Sequence, residues 1–291
     1  MADITPQMVK ELRDMTGAGM GDCKKALVEA NGDFKEAIEI LRKKGAASAA
    51  KRAAKEAKEG LVLTKISDDL KKAVIIEINC ETDFVSRNEQ FVKYVETVRD
   101  AYFNNDKAIT LDDILKTNVG NDTVEGIHNE ILAKFSENIQ IRRFSKVIVD
   151  NGFIVDYMHN GNKLGVLLVF EGATEVTDKA IQLSRDIAMQ VASMNPRFVD
   201  RSQVDQTTLA KEKEIYTQVA IDEGKKPEIA ERIAQGKLDK FFTEFCLVEQ
   251  SFVKDSSKVV GDVVKEISNE LNKDVKVKSF IRYFLGEVVE E

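Results

Sequence analysis

The chain has 291 residues, of which 43% are hydrophobic and 32% charged, a balance typical of a folded protein with two or three domains. Its longest apolar runs, AVII and VLLVF, are far shorter than the ~20 residues that cross a bilayer, and its amino terminus lacks a secretion signal, so we expect a cytoplasmic protein without membrane contacts. Its net charge of −7 disfavours general binding to nucleic acid.

Cysteine, histidine and glycine patterns argue against a catalytic, metal or nucleotide site. Cys23, Cys80 and Cys246 are scattered without a CxxC spacing, which favours reduced, buried thiols over disulfides or zinc. Only two histidines are present, and there is no GxxxxGK[ST] loop. The stretch GAGMG at 17–21 misses the GxGxxG spacing and follows no strand. We therefore expect no metal, no cofactor and no direct nucleotide binding.

Residues 1–45 predict a small domain of three short helices. Thr5 and Pro6 supply an N-cap and a first-turn proline for the first helix, and Asp33 can cap the third. Gly45 is interpreted as the glycine that ends the third helix. Because so small a unit has little core of its own, we expect it to dock on a partner or on the rest of the chain.

A basic, alanine-rich stretch follows and is assigned as a helical linker, residues 46–59. From Arg42 to Lys58 the chain carries seven basic residues and a single acidic one, Glu56. One interpretation is an arm that contacts nucleic acid or the ribosome. The other is a solvated helical linker, which we favour because no aromatic residues are interleaved for stacking on bases.

The remainder of the chain is an internal repeat with an offset of 92 residues. GLVLTKISDDLKKAVIIEINC (60–80) aligns with GFIVDYMHNGNKLGVLLVFEG (152–172), strand on strand and turn on turn. Each segment predicts a β-hairpin, with turns at Asp68-Asp69 and Asn160-Gly161. A helix is predicted after each hairpin, over 88–103 and 178–194.

The two halves also close alike, with IRRF (141–144) and IRYF (281–284) each in a late strand after a helix. We therefore predict an α+β fold with a duplicated core, 60–151 and 152–291, each half a three-stranded antiparallel sheet with helices on one face.

One insertion breaks this symmetry. Residues 205–224 and 227–245 predict two charged helices that form an antiparallel hairpin, here called the 205–245 arm, about 30 Å long at 1.5 Å per residue. Its apolar residues, among them Ile229 and Phe241, either pack within the hairpin and against the core or form a partner site. The first alternative is favoured.

The tetrapeptide TDFV, residues 82–85, lies between a predicted buried strand and a predicted helix. Ser86 or Asn88 could cap that helix without a neighbouring phenylalanine. If the strand continued past Cys80, Phe84 would share the face of Ile76 and be part of the core, which is the interpretation that the residues alone favour.

Four segments together carry a resemblance to a known family: LRDMTGAGMGDCKKAL (12–27), INCETDFVSRNEQF (78–91), SENIQIRR (136–143) and KPEIAERI (226–233). In order and over nearly the whole length, the chain resembles the bacterial translation elongation factor Ts family. The resemblance implies a guanine-nucleotide exchange factor that releases GDP from the GTPase elongation factor Tu. It also implies a UBA-like amino-terminal domain, a core of two related halves and a coiled-coil hairpin.

The resemblance further implies site residues. In the family, the TDFV turn, here Thr82, Asp83, Phe84 and Val85, binds the partner. Its aspartate and phenylalanine, here Asp83 and Phe84, enter a pocket between helices of the G domain and disturb its Mg²⁺ site. The histidine that matches His159 presses toward the phosphate-binding loop. These are partner contacts, and the resemblance implies no catalytic, metal or cofactor residues on this chain.

The amino-terminal domain supplies further G-domain contacts in the family, and Arg13 and Met20 match those positions. Gly21 stands where some members have a second methionine, which implies a weaker contact. Some members continue past the last strand with a helix that docks on the partner. This chain stops at GEVVEE, so we expect that contact to be absent or replaced.

Two alternatives remain open on the residues alone. An enzyme could join Cys80, Asp83 and a histidine in a nucleophilic site, although no second polar group is placed to orient His128 or His159. An adaptor could use the three-helix domain as a ubiquitin-type binding module, with the core as a platform and no exchange activity.

Overall fold

The structure is a computed structural model that describes residues 4–52, 55–159 and 161–288. The helices are α1 (Pro6–Thr16), α2 (Met20–Glu29), α3 (Phe34–Arg52), α4 (Asp83–Ser86), α5 (Glu89–Asn104), α6 (Leu111–Leu115), α7 (Val124–Phe135), α8 (Asp178–Met194), α9 (Gln206–Asp222), α10 (Pro227–Phe245) and α11 (Val260–Leu271). The strands are β1 (Glu59–Ile66), β2 (Lys72–Cys80), β3 (Asn118–Val119), β4 (Asp122–Thr123), β5 (Gln140–Ile148), β6 (Gly152–Met158), β7 (Leu164–Glu171), β8 (Ser251–Phe252), β9 (Asp255–Val259) and β10 (Lys276–Phe284). The predicted α+β class is confirmed.

Two three-stranded antiparallel sheets form the centre, in the orders β1-β2-β5 and β6-β7-β10. Each contains the predicted hairpin and the predicted late strand, with the second strand of the hairpin in the middle. Helices α5 and α7 cover one face of the first sheet, and α8 and α11 cover one face of the second. Asn160, in the predicted turn of the second hairpin, lies outside the described residues.

The other faces of the two sheets pack against each other, a contact that the sequence did not predict. Along β2, Val74 and Ile76 face the helices, whereas Ala73 and Ile75 face the second sheet. Because successive strand residues point to opposite faces, β2 is buried on both sides, and its apolar run AVII (73–76) is followed by the buried polar residues Glu77 and Asn79.

The two halves are joined by reciprocal hydrogen bonds. The Val62 amide donates to the Asn162 carbonyl at 2.7 Å, and the Ile154 amide donates to the Leu70 carbonyl at 2.9 Å. Val62 and Ile154 are equivalent under the 92-residue offset, as are Leu70 and Asn162. The tip of each hairpin therefore lies beside the first strand of the other, in a head-to-tail arrangement.

The amino-terminal helices begin largely as predicted. Thr5 caps α1 and Asp33 caps α3, the latter accepting the Glu36 amide at 2.8 Å. The prediction that Gly45 ends the third helix is wrong, because α3 runs on to Arg52. The glycine is needed for packing instead: a Cβ at this position would lie 2.6 Å from the Cα of Ala133 in α7.

The basic stretch that follows makes several contacts within the chain. Arg42 pairs with Asp122 at 3.0 Å, and Lys55 pairs with Glu81 at 3.6 Å. Residues 53 and 54 of the predicted linker lie outside the described residues. Part of the basic charge is thus neutralised by acidic side chains of the core.

The 205–245 arm is formed by α9 and α10, which pack side by side. Its apolar residues divide between the two alternatives. Phe241 and Leu238 are buried near the base, whereas Ile215 and Ile229 are exposed farther along the arm.

Over the described parts of the chain, no helix is long and apolar enough to cross a membrane.

Candidate partner-binding site

The TDFV turn is a short helix, α4, between β2 and α5. Thr82 is its N-cap, and the threonine hydroxyl accepts the Val85 amide at 3.4 Å. Asn88 caps α5 as predicted, accepting the Gln90 amide at 3.0 Å. The chain therefore leaves the sheet, makes one helical turn and starts a second helix within a few residues.

Phe84, the aromatic residue of the TDFV turn, has 85% of its surface exposed to solvent. The next residue, Val85, is 7% exposed and packs in the core of the first half. Successive residues of a helix point about 100° apart, so one can anchor the turn while its neighbour faces solvent. The core interpretation of Phe84 is wrong because the strand ends at Cys80 and helical geometry begins at Asp83.

Asp83 is the first residue of α4, where the exposed amides favour a carboxylate. Its Oδ2 lies 3.3 Å from the Arg87 guanidinium, one turn farther along the chain. Both side chains are substantially exposed to solvent. An exposed pair of this kind stabilises a fold little, so Asp83 can exchange Arg87 for a partner at small cost.

Glu137 holds the start of the turn and was missed in the sequence. Its Oε2 accepts the amides of Glu81 and Thr82, both at 3.1 Å, and its Oε1 accepts the Thr82 hydroxyl at 2.7 Å. A signal for it was present, since a capping box would place Glu or Gln three residues after Thr82, where Val85 stands. The N-cap amide therefore needed an acceptor from elsewhere, although the sequence could not say which.

His159 lies at the tip of the second hairpin, exposed to solvent. Its amide donates to the Leu164 carbonyl at 2.9 Å, and its Nδ1 lies 3.1 Å from the Tyr157 hydroxyl. The neighbouring Lys163 pairs with Glu59 at 2.8 Å, and Glu59 stands opposite Cys80 in the first sheet. The head-to-tail arrangement thus brings the His159 tip to the end of the first sheet where the TDFV turn begins.

Arg13 and Met20 are both exposed on either side of the α1–α2 turn. Gly17 in that turn lies against Lys134, close to the carboxyl end of α7 and three residues before Glu137. The amino-terminal positions that the resemblance implies therefore lie near the segment that supports the TDFV turn.

Comparisons with known proteins agree with one another. The sequence model described as "Elongation factor TS" matches residues 81–287. A protein named elongation factor Ts from Chloroherpeton thalassium is 44% identical over 99% of this chain and 100% of its own length. Proteins of the same name from Clostridium perfringens and Clostridium botulinum are 42% and 44% identical over 99% of this chain, and over 95% and 94% of their own lengths.

The chain belongs to the elongation factor Ts family. The resemblance stated from the sequence is confirmed, and with it the role of a guanine-nucleotide exchange factor for elongation factor Tu. The match to the elongation factor Ts model begins at Glu81, the residue directly before the TDFV turn, whose amide Glu137 accepts.

Cys80 and His128 are poorly suited to the enzyme alternative in a member of the elongation factor Ts family. Burial raises the pKa of Cys80 to about 12, and its thiol donates to the Thr82 carbonyl at 3.2 Å. Burial lowers the pKa of His128 to about 4, and its Nδ1 lies 2.6 Å from the Tyr94 hydroxyl. A thiol with so high a pKa is not a nucleophile at neutral pH. Within the described ranges, no three His, Cys, Asp or Glu residues are grouped to hold a metal ion.

Proposed function

We propose that this member of the family releases GDP by inserting Asp83 and Phe84 into the G domain of elongation factor Tu and disturbing its Mg²⁺ site. The observation that carries the proposal is Phe84, 85% exposed on a turn that Glu137 and Val85 fix to the core. Mg²⁺ bridges nucleotide phosphates and is the largest local charge that holds GDP, so a shift of its ligands weakens the binding of GDP. A buried aromatic wedge can supply the free energy for such a shift.

Differential binding explains why these residues, rather than the whole surface, drive exchange. An exchange factor must bind the nucleotide-free GTPase more tightly than the GDP form. By linkage, the ratio of those two affinities equals the factor by which the affinity for GDP falls. A contact made equally in both forms does not change this ratio, whereas Phe84 buried only in the displaced state does.

The remaining implied contacts extend this surface. We assign His159 to the phosphate-binding loop, Arg13 and Met20 to docking of the G domain, and Thr82 and Val85 to holding the turn. Residues 1–45 are proposed to be a UBA-like docking domain joined by a linker at 46–59. The halves 60–151 and 152–291 form the core, and the 205–245 arm is proposed to be a coiled coil. The chain itself is proposed to act in the cytoplasm without binding nucleotide, nucleic acid or membrane.

Stimulated release of a fluorescent GDP from elongation factor Tu tests the central residue. Phe84→Ala should slow release by about tenfold or more, since a hot-spot aromatic contributes about 2 kcal/mol and about 1.4 kcal/mol corresponds to tenfold. Ile109→Ala is the matched control, because Ile109 is an apolar side chain of the same half with 80% exposure. It should change release by less than about twofold. Release at the parental rate with Phe84→Ala would refute the proposal.

Chelation separates the Mg²⁺ step from simple docking. Asp83→Ala should also slow release, and removal of free Mg²⁺ should partly restore both variants, because the chelator then does what the two side chains do in the parent. If chelation restores neither variant, these residues act through docking and not through the metal.

A further inference from the structure

The start of the TDFV turn and the segment before β5 are joined by reciprocal hydrogen bonds, in which a carboxylate of each segment accepts backbone amides of the other. Glu137 accepts the amides of Glu81 and Thr82 at 3.1 Å, and the Glu81 carboxylate accepts the Asn138 amide at 2.7 Å in return. The residues lie more than fifty positions apart in the chain. The pattern satisfies amides on both sides, as a capping box does within one helix.

The Thr82 hydroxyl connects this exchange to α4. A hydroxyl has one proton and two lone pairs. Its proton goes to Glu137 Oε1 at 2.7 Å, which leaves a lone pair to accept the Val85 amide at 3.4 Å. Glu137 therefore fixes not only the backbone at Glu81 and Thr82 but also the orientation of the N-cap hydroxyl.

The short helix needs such support. Isolated helices shorter than ~12 residues are marginal in water, and α4 has four. Val85 and Ser86 bury one side of the turn, but the side that carries Phe84 makes no core contact. The direction in which Phe84 points is thus set by how its backbone is held at the amino-terminal end.

We propose that Glu137 is a positioning residue for nucleotide exchange. It holds Asp83 and Phe84 in the orientation that the displaced G domain binds, and so removes an ordering cost at the moment of contact. The inference rests on the proposed function of the TDFV turn and adds a residue that does not itself touch the partner.

Glu137→Ala should lower the maximal rate of stimulated GDP release by about fivefold, the order expected when charge-assisted hydrogen bonds that preorganise a contact are lost. The concentration of exchange factor that gives half the maximal rate should not change, because docking through the rest of the surface is retained. General loss of folded protein would raise that concentration and leave the maximal rate intact, which would overturn the proposal.

Glu270→Ala is the matched control. In the second half, the Glu270 carboxylate accepts the Thr177 hydroxyl at 3.2 Å, and that hydroxyl accepts the Ala180 amide at 3.2 Å. A glutamate thus also orients the N-cap hydroxyl of α8, although Glu270 pairs with Lys179 where Glu137 accepts backbone amides, and no exposed aromatic follows this cap. Glu270→Ala should leave the release rate at the parental value, and a loss equal to that of Glu137→Ala would also overturn the proposal.

A double-mutant cycle with Phe84→Ala separates this inference from the function on which it rests. If Glu137 acts through the turn, Glu137→Ala should cost clearly less than fivefold in the Phe84→Ala background, the remaining effect acting through Asp83. Full additivity would show that Glu137 acts elsewhere. Phe84→Ala at the parental rate would instead refute the proposed function of the turn.

Amide hydrogen exchange on the protein alone gives a test without the partner. The amides of residues 81–86 should exchange faster in Glu137→Ala than in the parent, and Glu270→Ala should leave them unchanged. Unchanged protection in Glu137→Ala would overturn the inference. If Glu137→Ala does not fold, Glu137→Gln decides: it keeps one acceptor oxygen but loses the charge, so release should fall about twofold, and parental release would refute the role.

Discussion

The two halves share their sheets and differ in the connections that leave them. In the first half, β2 leads into α4 and exposes Phe84. In the second, β7 leads into Gly172 and the buried Ala173 before α8 begins. Both helices start at a threonine held by a distant glutamate, yet an exposed aromatic follows only the first. The duplication provides a rigid frame, and the partner contacts lie in connections that the halves do not share.

The hairpin tips differ in the same way. In the first half, Ser67 donates to Asp69 and accepts the Lys72 amide at 2.9 Å, so the tip is closed by its own side chains. His159 occupies the equivalent position of the second tip, where its exposed side chain lies within hydrogen-bond distance of the Tyr157 hydroxyl. The tip that lies beside the TDFV turn is thus the one with an exposed ring.

The largest difference between the halves in stability should come from Glu77. Glu77 is a fully buried carboxylate of β2 that faces the second sheet. Its equivalent in the second half, under the 92-residue offset, is Val169. The Glu77 carboxylate accepts hydrogen bonds from the guanidinium groups of Arg142 at 2.8 Å and Arg143 at 2.5 Å, and from the Gly286 amide at 2.9 Å. Glu77→Ala should lower the free energy of unfolding by about 3–5 kcal/mol, because two guanidinium groups lose their partner. Urea denaturation measures this.

The matched control is Val169→Ala, which removes only apolar contacts and should lower the free energy of unfolding by about 2 kcal/mol.

The dependence of stability on acid pH provides a second test of Glu77. Burial acts to raise the pKa of Glu77, but the Gly286 amide and the two arginines outweigh it and lower the pKa below its ordinary value of 4.5. A lowered pKa stabilises the fold above pH 4.5, and this stabilisation is lost as the pH falls through the folded-state value. An equal cost for both variants would contradict the difference.

A pair of glycines should instead make the halves respond alike. Gly60 and Gly152 are equivalent under the repeat, and a Cβ at either would overlap a carbonyl oxygen of the paired strand, that of Ile78 or Phe170. Each substitution to alanine should therefore cost about 3 kcal/mol. In contrast, Gly236→Ala, in a helix with open space around it, should stabilise the protein by up to about 1 kcal/mol. Thermal unfolding compares the three, and a neutral Gly60→Ala would contradict the shared constraint.

The sequence predicted what is local or repeated. The hairpins, the start of α5 and the late strands follow from periodicity, caps and the 92-residue offset. Contacts between distant segments could not be predicted from the sequence. Glu137 lies 55 positions from Thr82, and neither segment carries a pattern that identifies the other as its partner. The core interpretation of Phe84 failed because it assumed that the strand continued beyond Cys80, and Gly45 was assigned to a helix end because its packing partner, Ala133, was unknown.

Acid sensitivity between pH 6.5 and 4 should arise in the first half. His128 has a pKa lowered from 6.5 to about 4 by burial, whereas the buried polar pair of the second half, Gln190 and Gln250, does not titrate. In this range the unfolded histidine binds a proton and the folded one does not, so stability falls as the pH falls. His128→Gln should reduce that slope by at most about 1.4 kcal/mol per pH unit. Unfolding measured at several pH values tests this, and an unchanged slope would contradict it.

The smallest effect concerns the hairpin tips. His159→Ala should slow stimulated GDP release by about threefold, less than Phe84→Ala, because an exposed ring that contacts one loop loses less on truncation than a buried wedge. Removal of free Mg²⁺ should not restore the rate, since the proposed target of His159 is the phosphate-binding loop. Ser67→Ala changes the equivalent position of the first tip and should leave release unchanged. If Ser67→Ala and His159→Ala slow release equally, the tips act by supporting the fold, and the head-to-tail placement of His159 beside the TDFV turn has no role in exchange.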